Sequence, residues 1–292
     1  QFGDKSLIQG EQVEKTKINR NYNNILSIER IPVPQHRWGF LPISIELFLQ
    51  TNIAEFLDPT NNTYIKKNAA PLRRYGVEKS TKQSFIACIA DIYTFEKNIN
   101  VPTIQEMKKI IIDKLSIDNY LKLQNGSLLP LFQPNKINIS DIRVENYKNS
   151  EYYKSVDLDN VSQYNMLKYT IASFENFINY LQDDDSIIDH VFMWDLVCSP
   201  SINLFANGVN LVIMEVEDYD KRDNVQLLCP TNSYSESYFD DKKGTILLLK
   251  QGTFYEPIYL YGNTRNEKSS NKLNAIKIFY TQNTPNNLNP VF

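Results

Sequence analysis

A side chain that attacks a substrate needs a base within about 3 Å to take its proton and a third polar group to orient that base. The first turn of a buried helix suits the attacking group, because unpaired N–H groups and the helix dipole stabilise negative charge there. One stretch of the 292-residue chain has this character: Lys82-Gln83-Ser84-Phe85-Ile86-Ala87-Cys88-Ile89-Ala90 runs from polar loop into apolar helix. It puts Ser84 at the helix start and Cys88 one turn on. The bases are two, His36 and His190. Pairing Ser84 or Cys88 with either histidine would make a thiol or serine peptidase with a rearranged site. The plainer reading is structural. Ser84 is then a helix cap, Cys88 a core thiol beyond the reach of the dipole, and each histidine a packed side chain.

The elements that must position these groups fall into two halves. Residues 1–30 are polar and Asn/Lys-rich and read as an arm or linker. Residues 31–69 form a lead-in. Ile31-Pro32-Val33-Pro34 is extended, and Pro42 opens a helix over 42–52 with Ile43, Leu47 and Phe48 on one face. Residues 53–80 read as loop. Helices follow at about 84–97 and 103–115, the second opened by a Thr103/Glu106 capping box, with a short helical piece reaching 124. An insertion at about 125–160, with short strands at 128–132 and 137–143, precedes helices at 161–181 and 187–198. The period then changes. Val209–Val216 is a buried strand, Val225–Leu228 a second, and Thr245–Leu249 with Phe254–Tyr261 a hairpin turned by Gln251-Gly252-Thr253. Residues 263–292 carry a terminal strand over 274–281 and an irregular tail. Helices first and strands later predict an α+β fold with a mostly C-terminal sheet.

Three segments in this order, Gln83-Ser84-Phe85-Ile86-Ala87-Cys88, Gly208-Val209-Asn210-Leu211-Val212-Ile213 and Thr253-Phe254-Tyr255-Glu256, resemble the ovarian-tumour (OTU) family of deubiquitinating cysteine proteases. The resemblance spans about residues 70–262 and implies a papain-like fold. Carried over position by position, it puts Ser84 where the family has its cysteine, Phe254 where it has its histidine, and Glu256 at the orienting position, with Tyr255 as the aromatic after the histidine. The family's Asp-Gly-Asn lead is replaced by Thr81-Lys82-Gln83. Phe254 cannot take a proton, so the triad is degenerate. The resemblance therefore implies a pseudoenzyme whose former substrate surface binds a protein partner, either ubiquitin or another domain of the parent chain. Arg73, Arg74, Gln83 and Tyr255 are the candidate binding patch. The Asn-rich, Lys-over-Arg composition, with 33 asparagines, points to an A/T-rich genome. Arg73-Arg74-Tyr75-Gly76-Val77-Glu78 leading into the Ser84 segment also resembles domains in large proteins of nucleocytoplasmic large DNA viruses, mimivirus relatives among them.

Other chemistries fit less well. Glu215, Glu217, Asp218, Asp220 and Lys221 have the composition of a metal-dependent nuclease site but lack its Glu-x-Lys strand. Lys66-Lys67 and Arg73-Arg74, near Tyr64 and Tyr75, form a basic and aromatic patch for phosphate in a nucleic-acid-associated or virion structural module. Asp183-Asp184-Asp185 ends a helix and lacks the alternating oxygen ligands of a calcium loop. There is no phosphate-binding glycine loop and no zinc spacing, so no cofactor is expected. A net charge of −3 gives no global footprint for nucleic acid or anionic membrane. No run approaches the roughly 18 apolar residues of a membrane span. Cys88, Cys198 and Cys229 show no paired spacing and read as reduced thiols of a cytoplasmic protein. The start at Gln1 suggests an excised or processed piece.

Overall fold

The computed structural model describes residues 24–66, 69–95, 97, 99–133, 142–217, 224–228, 239–262 and 275–288. A six-stranded mixed sheet organises them. In chain order its strands are β1 (Trp38–Gly39), β4 (Leu72–Tyr75), β5 (Val209–Val216), β6 (Gln226–Leu228), β7 (Gly244–Gln251) and β8 (Phe254–Leu260), while β2 (Leu57–Asp58) and β3 (Asn61–Ile65) form a separate small ribbon. The sheet order is β1-β4-β8-β7-β5-β6. β5 and β7 pair in parallel from Val209↔Gly244 to Val216↔Gln251, and the other pairs are antiparallel.

The apolar runs of β5 and β7 follow from burial on both faces. Alternate residues point to opposite sides. Leu211, Ile213, Ile246 and Leu248 join the main core, while Met214, Val216, Leu247 and Leu249 join a second core on the other face. The second face is covered by α1 (Ile43–Phe48) and by Phe279 and Leu288. The first face carries α2 (Ser84–Tyr93), which packs along β8, and behind it α3 (Ile104–Ile112). Three short helices follow, α4 (Ile117–Tyr120), α5 (Leu128–Leu131) and α6 (Glu151–Ser155). The long α7 (Val161–Gln182) packs on α3, and α8 (His190–Cys198) packs on β5.

The α+β class and the C-terminal sheet agree with the sequence reading, and the hairpin turns where expected, at Gln251 to Thr253. The Thr103/Glu106 capping box is present in full, opening α3. Four expectations are corrected. Residues 53–80 are not all loop: they contain β2, β3 and β4. Residues 128–131 are helix, not strand, because α5 packs against α7; the second expected strand, 137–143, lies mostly outside the described residues. The buried side of α1 is the opposite of the expected one. Leu41, Ile45 and Leu49 recur every four residues and are buried, leaving Ile43 and Leu47 60% and 54% exposed. Over 24–29 the chain is not a free arm: Ile25 is buried, and Leu26 forms a bridge to Gly39.

The segment before β1 matters for the site. It crosses the end of β4 at Gly76, whose N–H donates to the Arg37 carbonyl while its own carbonyl accepts from the His36 N–H. A Cβ at Gly76 would lie 1.9 Å from the Pro34 carbonyl oxygen, so only glycine lets the two backbones approach. Gly76→Ala is therefore expected to destabilise the fold by about 1–3 kcal/mol through overpacking. Urea denaturation of variant and parent checks this, and an unchanged midpoint refutes it.

Candidate functional site

The geometry brings together the three positions that the sequence singled out. Ser84 is the first residue of α2, and its position fixes where the hydroxyl points. Gln83, not Ser84, occupies the cap, so the expected capping role of Ser84 is corrected. The hydroxyl instead reaches across to the start of β8. Its Oγ accepts the Tyr255 N–H at 3.0 Å and donates to the Thr253 carbonyl at 3.3 Å. These two bonds bracket Phe254, so Ser84 and Phe254 share one crevice. The far end of α2 is fastened to the same strand, because buried Asp91 accepts from the Tyr259 hydroxyl and from Lys277 Nζ.

The crevice has almost no room. Pro32 and Val33 line it together with Ser84, Phe254 and Glu256, leaving about 10 Å³, around what a single water needs. Glu256 orients no histidine. One of its oxygens accepts the Val33 N–H, and the other accepts from Arg74 Nη1 at 2.8 Å. Arg74 is fully buried and donates as well to the carbonyls of Ser27, Ile28, Arg30 and Phe40 at 2.6–3.4 Å. Five guanidinium N–H groups thus meet five acceptors, and the segment 27–40 is held over the crevice by them.

No base reaches the nucleophile candidates. His36 bonds the Tyr75 hydroxyl at 3.4 Å, and His190 Nδ1 pairs with the Tyr255 hydroxyl at 2.7 Å. Cys88 is buried, and that burial, with the charges of Glu256 and Asp91, pushes its thiol well above the ordinary range. A neutral buried thiol does not attack.

The expected binding patch does not lie at the surface. Arg73 and Arg74 are 1% and 0% exposed, each tied to a carboxylate, Glu46 and Glu256. Gln83 is buried, its amide donating to the Asp183 and Ser186 carbonyls. Tyr255 is buried against His190. The reading of Arg73 and Arg74 as a phosphate-contacting patch is corrected by the same burial. Lys66 donates to the Glu55 carbonyl, while Lys67 lies outside the described residues. Of the nuclease-like set, Glu215 is paired with Lys250, and Asp218, Asp220 and Lys221 lie outside the described residues. Asp183 caps the end of α7, and Asp184 and Asp185 pair with Lys108 and Lys82. Among the described residues no cluster of His, Cys, Asp and Glu has the makings of a metal site, and no helix is long and apolar enough to cross a membrane. What the sequence reading missed is the partnership of Arg74 with Glu256. No local signal marks it, because the two residues lie 182 positions apart.

The chain is similar to an uncharacterized protein of Acanthamoeba polyphaga mimivirus, at 19% identity over 97% of the chain. It spans about 15% of that relative's length. No family model matches the chain, and no solved structure does.

Ser84→Ala removes the acceptor of a buried N–H and is expected to cost about 1–3 kcal/mol. Chemical denaturation measures it; a neutral change would show that the clip to Tyr255 contributes nothing. His190 supplies a pH test. Burial holds its imidazole below the ordinary 6.5, against the opposing charge of Asp189. The unfolded chain therefore takes the proton first, and the stability due to neutral His190 is present above the unfolded value and lost as pH falls through the folded one. Urea midpoints of the parent should drop between pH 7.5 and 5.5 by more than those of His190→Gln. Parallel curves would contradict this.

Proposed function

We propose that this chain is a catalytically inactive OTU-like module of a larger viral protein, with a papain-like frame kept for protein binding or scaffolding. The observation that carries the reading is the bonding of Ser84. At the place where a nucleophile would stand, a hydroxyl is spent on two backbone groups beside a phenyl ring, in a crevice of about 10 Å³ lined in part by Pro32 and Val33. A phenyl ring takes no proton, and a substrate carbonyl has no space to enter. Similarity to a much longer giant-virus protein supports a multidomain parent. The partner we favour is ubiquitin or another domain of that parent, meeting the surface around the closed crevice. The host cytoplasm, a viral factory or the virion is the setting this reading implies.

An active peptidase with a rearranged site finds no support in the geometry, since both histidines bond tyrosine hydroxyls and Cys88 is sealed in the core. Diubiquitin incubated with the protein is expected to stay intact over hours, while titrated ubiquitin or segments of the parent chain shift the NMR signals of residues around Phe254. Robust cleavage sinks the pseudoenzyme reading. Absence of shifts with every one of these partners removes the binding role.

A further inference from the structure

Three aromatic rings reach the surface on the helical side of the sheet, where α5, α7 and α8 meet. Phe132 closes α5, Tyr180 stands in the last turn of α7, and Phe192 lies in the first turn of α8. The centre of the Phe132 ring is 5.3 Å from both Tyr180 and Phe192, and those two are 5.8 Å apart. Phe177, fully buried, supports them from below, at 4.8 Å from Phe132 and 6.2 Å from Tyr180. The three outer rings are half-buried. Ile187, whose carbonyl accepts from the Tyr180 hydroxyl at 2.6 Å, is 65% exposed, and Leu131, next to Phe132, is 61% exposed. Single apolar side chains at a surface need no explanation, but a contiguous group marks a contact site. Aromatic side chains are the enriched component of protein interfaces.

The patch is held in shape by its own bonds. Besides the Tyr180 hydroxyl, Asn176 Nδ2 donates to the Phe132 carbonyl at 3.0 Å, and Asp189 caps α8 by accepting the Val191 N–H. The turn between Tyr180 and Ile187 is fastened by Gln83, which donates to the Asp183 and Ser186 carbonyls, and by Lys108, which donates to the Gln182 and Asp183 carbonyls. Little ordering entropy is therefore lost on this side of a contact. The same turn sets the charge of the rim. It carries Asp183, Asp184 and Asp185, and Asp189 follows two residues after Ile187. Lys108 and Lys82 pair with Asp184 and Asp185. Asp183 and Asp189 make no ion pair among the described residues. Asp189 is near enough that its charge adds to burial in raising the Tyr180 phenol. Four carboxylates against two ammonium groups leave the rim negative.

We propose that this surface docks a basic, apolar segment of a partner protein, with leucine or phenylalanine side chains on the Phe132, Tyr180 and Phe192 rings and flanking lysines or arginines against Asp183 and Asp189. The sign of the rim selects the partner. A second copy of the chain in a two-fold contact would bring the same aspartates face to face, and nucleic acid and anionic lipid carry the charge that the rim repels. The rings supply the burial and the aspartates the orientation and the encounter rate. The patch shares no residue with the Ser84 crevice and is independent of the protease-like reading.

Fluorescence anisotropy of labelled peptides with the intact chain tests the proposal. The probe is Lys-Leu-Leu-Lys-Lys-Leu-Leu-Lys, and two control peptides carry Glu at every Lys or Ser at every Leu. The probe is expected to bind, and each control to bind at least about tenfold more weakly, the loss that one buried anchor carries. Its affinity should fall as salt is raised, because the rim charges are exposed. Two variants add the same charge in different places. Ile187→Lys puts it on the patch, and Ile43→Lys puts it on the outer side of α1, across the sheet. Ile187→Lys is expected to weaken the probe at least about tenfold and Ile43→Lys by less than about twofold, with the melting temperature of both unchanged, since each replaced side chain stands mostly in water. Should Ile187→Lys fail to fold, Leu131→Lys takes its place. Equal binding of the probe and the Glu peptide, equal effects of the two variants, an affinity indifferent to salt, or no binding up to about 1 mM would each overturn the proposal. So would self-association of the parent that Ile187→Lys abolishes, which would assign the patch to a second copy.

Discussion

The buried guanidinium of Arg74 is the constraint on which the rest of the molecule depends. A charge taken out of water is expensive, and only a complete set of acceptors makes it tolerable. Glu256 of β8 supplies one acceptor and four carbonyls of the segment 27–40 supply the others. One side chain therefore joins three parts of the chain: the lead-in, β4 and the strand beside α2. The lead-in cannot leave without stranding the arginine, and Glu256 cannot turn toward Ser84 without doing the same. The closed crevice is thus a condition of the fold's stability and not a chance packing of a loop. Gly39 and Gly76 serve the same arrangement. A side chain at Gly39 would press on Val33 and approach Arg74, and one at Gly76 would strike the Pro34 carbonyl.

Much of the fold is legible in the sequence for a physical reason. Strands buried on both faces, such as β5 and β7, carry unbroken apolar stretches, Leu211–Met214 and Ile246–Leu249, and α3 announces itself by its capping box. The N-terminal strands are not legible. β1 is two residues long, and β4 is Leu-Arg-Arg-Tyr, whose composition says exposed loop. Arginine is rarely buried unless paired, and the partner of Arg74 lies 182 residues away, beyond any local pattern. The face of α1 was misread because two apolar stripes compete on one short helix. Leu41, Ile45 and Leu49 win over Ile43 and Leu47 because they meet the second core.

The site divides in the same way. That Ser84, Phe254 and Glu256 belong together was readable from the order of three segments, and the structure lines one crevice with all three. What each does was not readable. Glu256 looked like an orienting group and is the counter-ion of an arginine. Ser84 looked like a cap and is a clip between α2 and β8. Side-chain identity names the donors and acceptors present. Which of them meet is decided by tertiary packing.

The sheet order has a consequence for the chain as it is made. β4, near the N-terminus, hydrogen-bonds to β8, and β7 in turn stands in parallel beside β5. A nascent chain emerging from the ribosome carries Arg74 and the lead-in long before Glu256 has been synthesised. At about 5–20 residues per second, the arginine waits on the order of ten seconds or more for its counter-charge. Through that interval β4 has only β1 beside it, and Arg74, whose carbonyl acceptors are already made, lacks its counter-charge. Closure of the sheet therefore waits on its last strand.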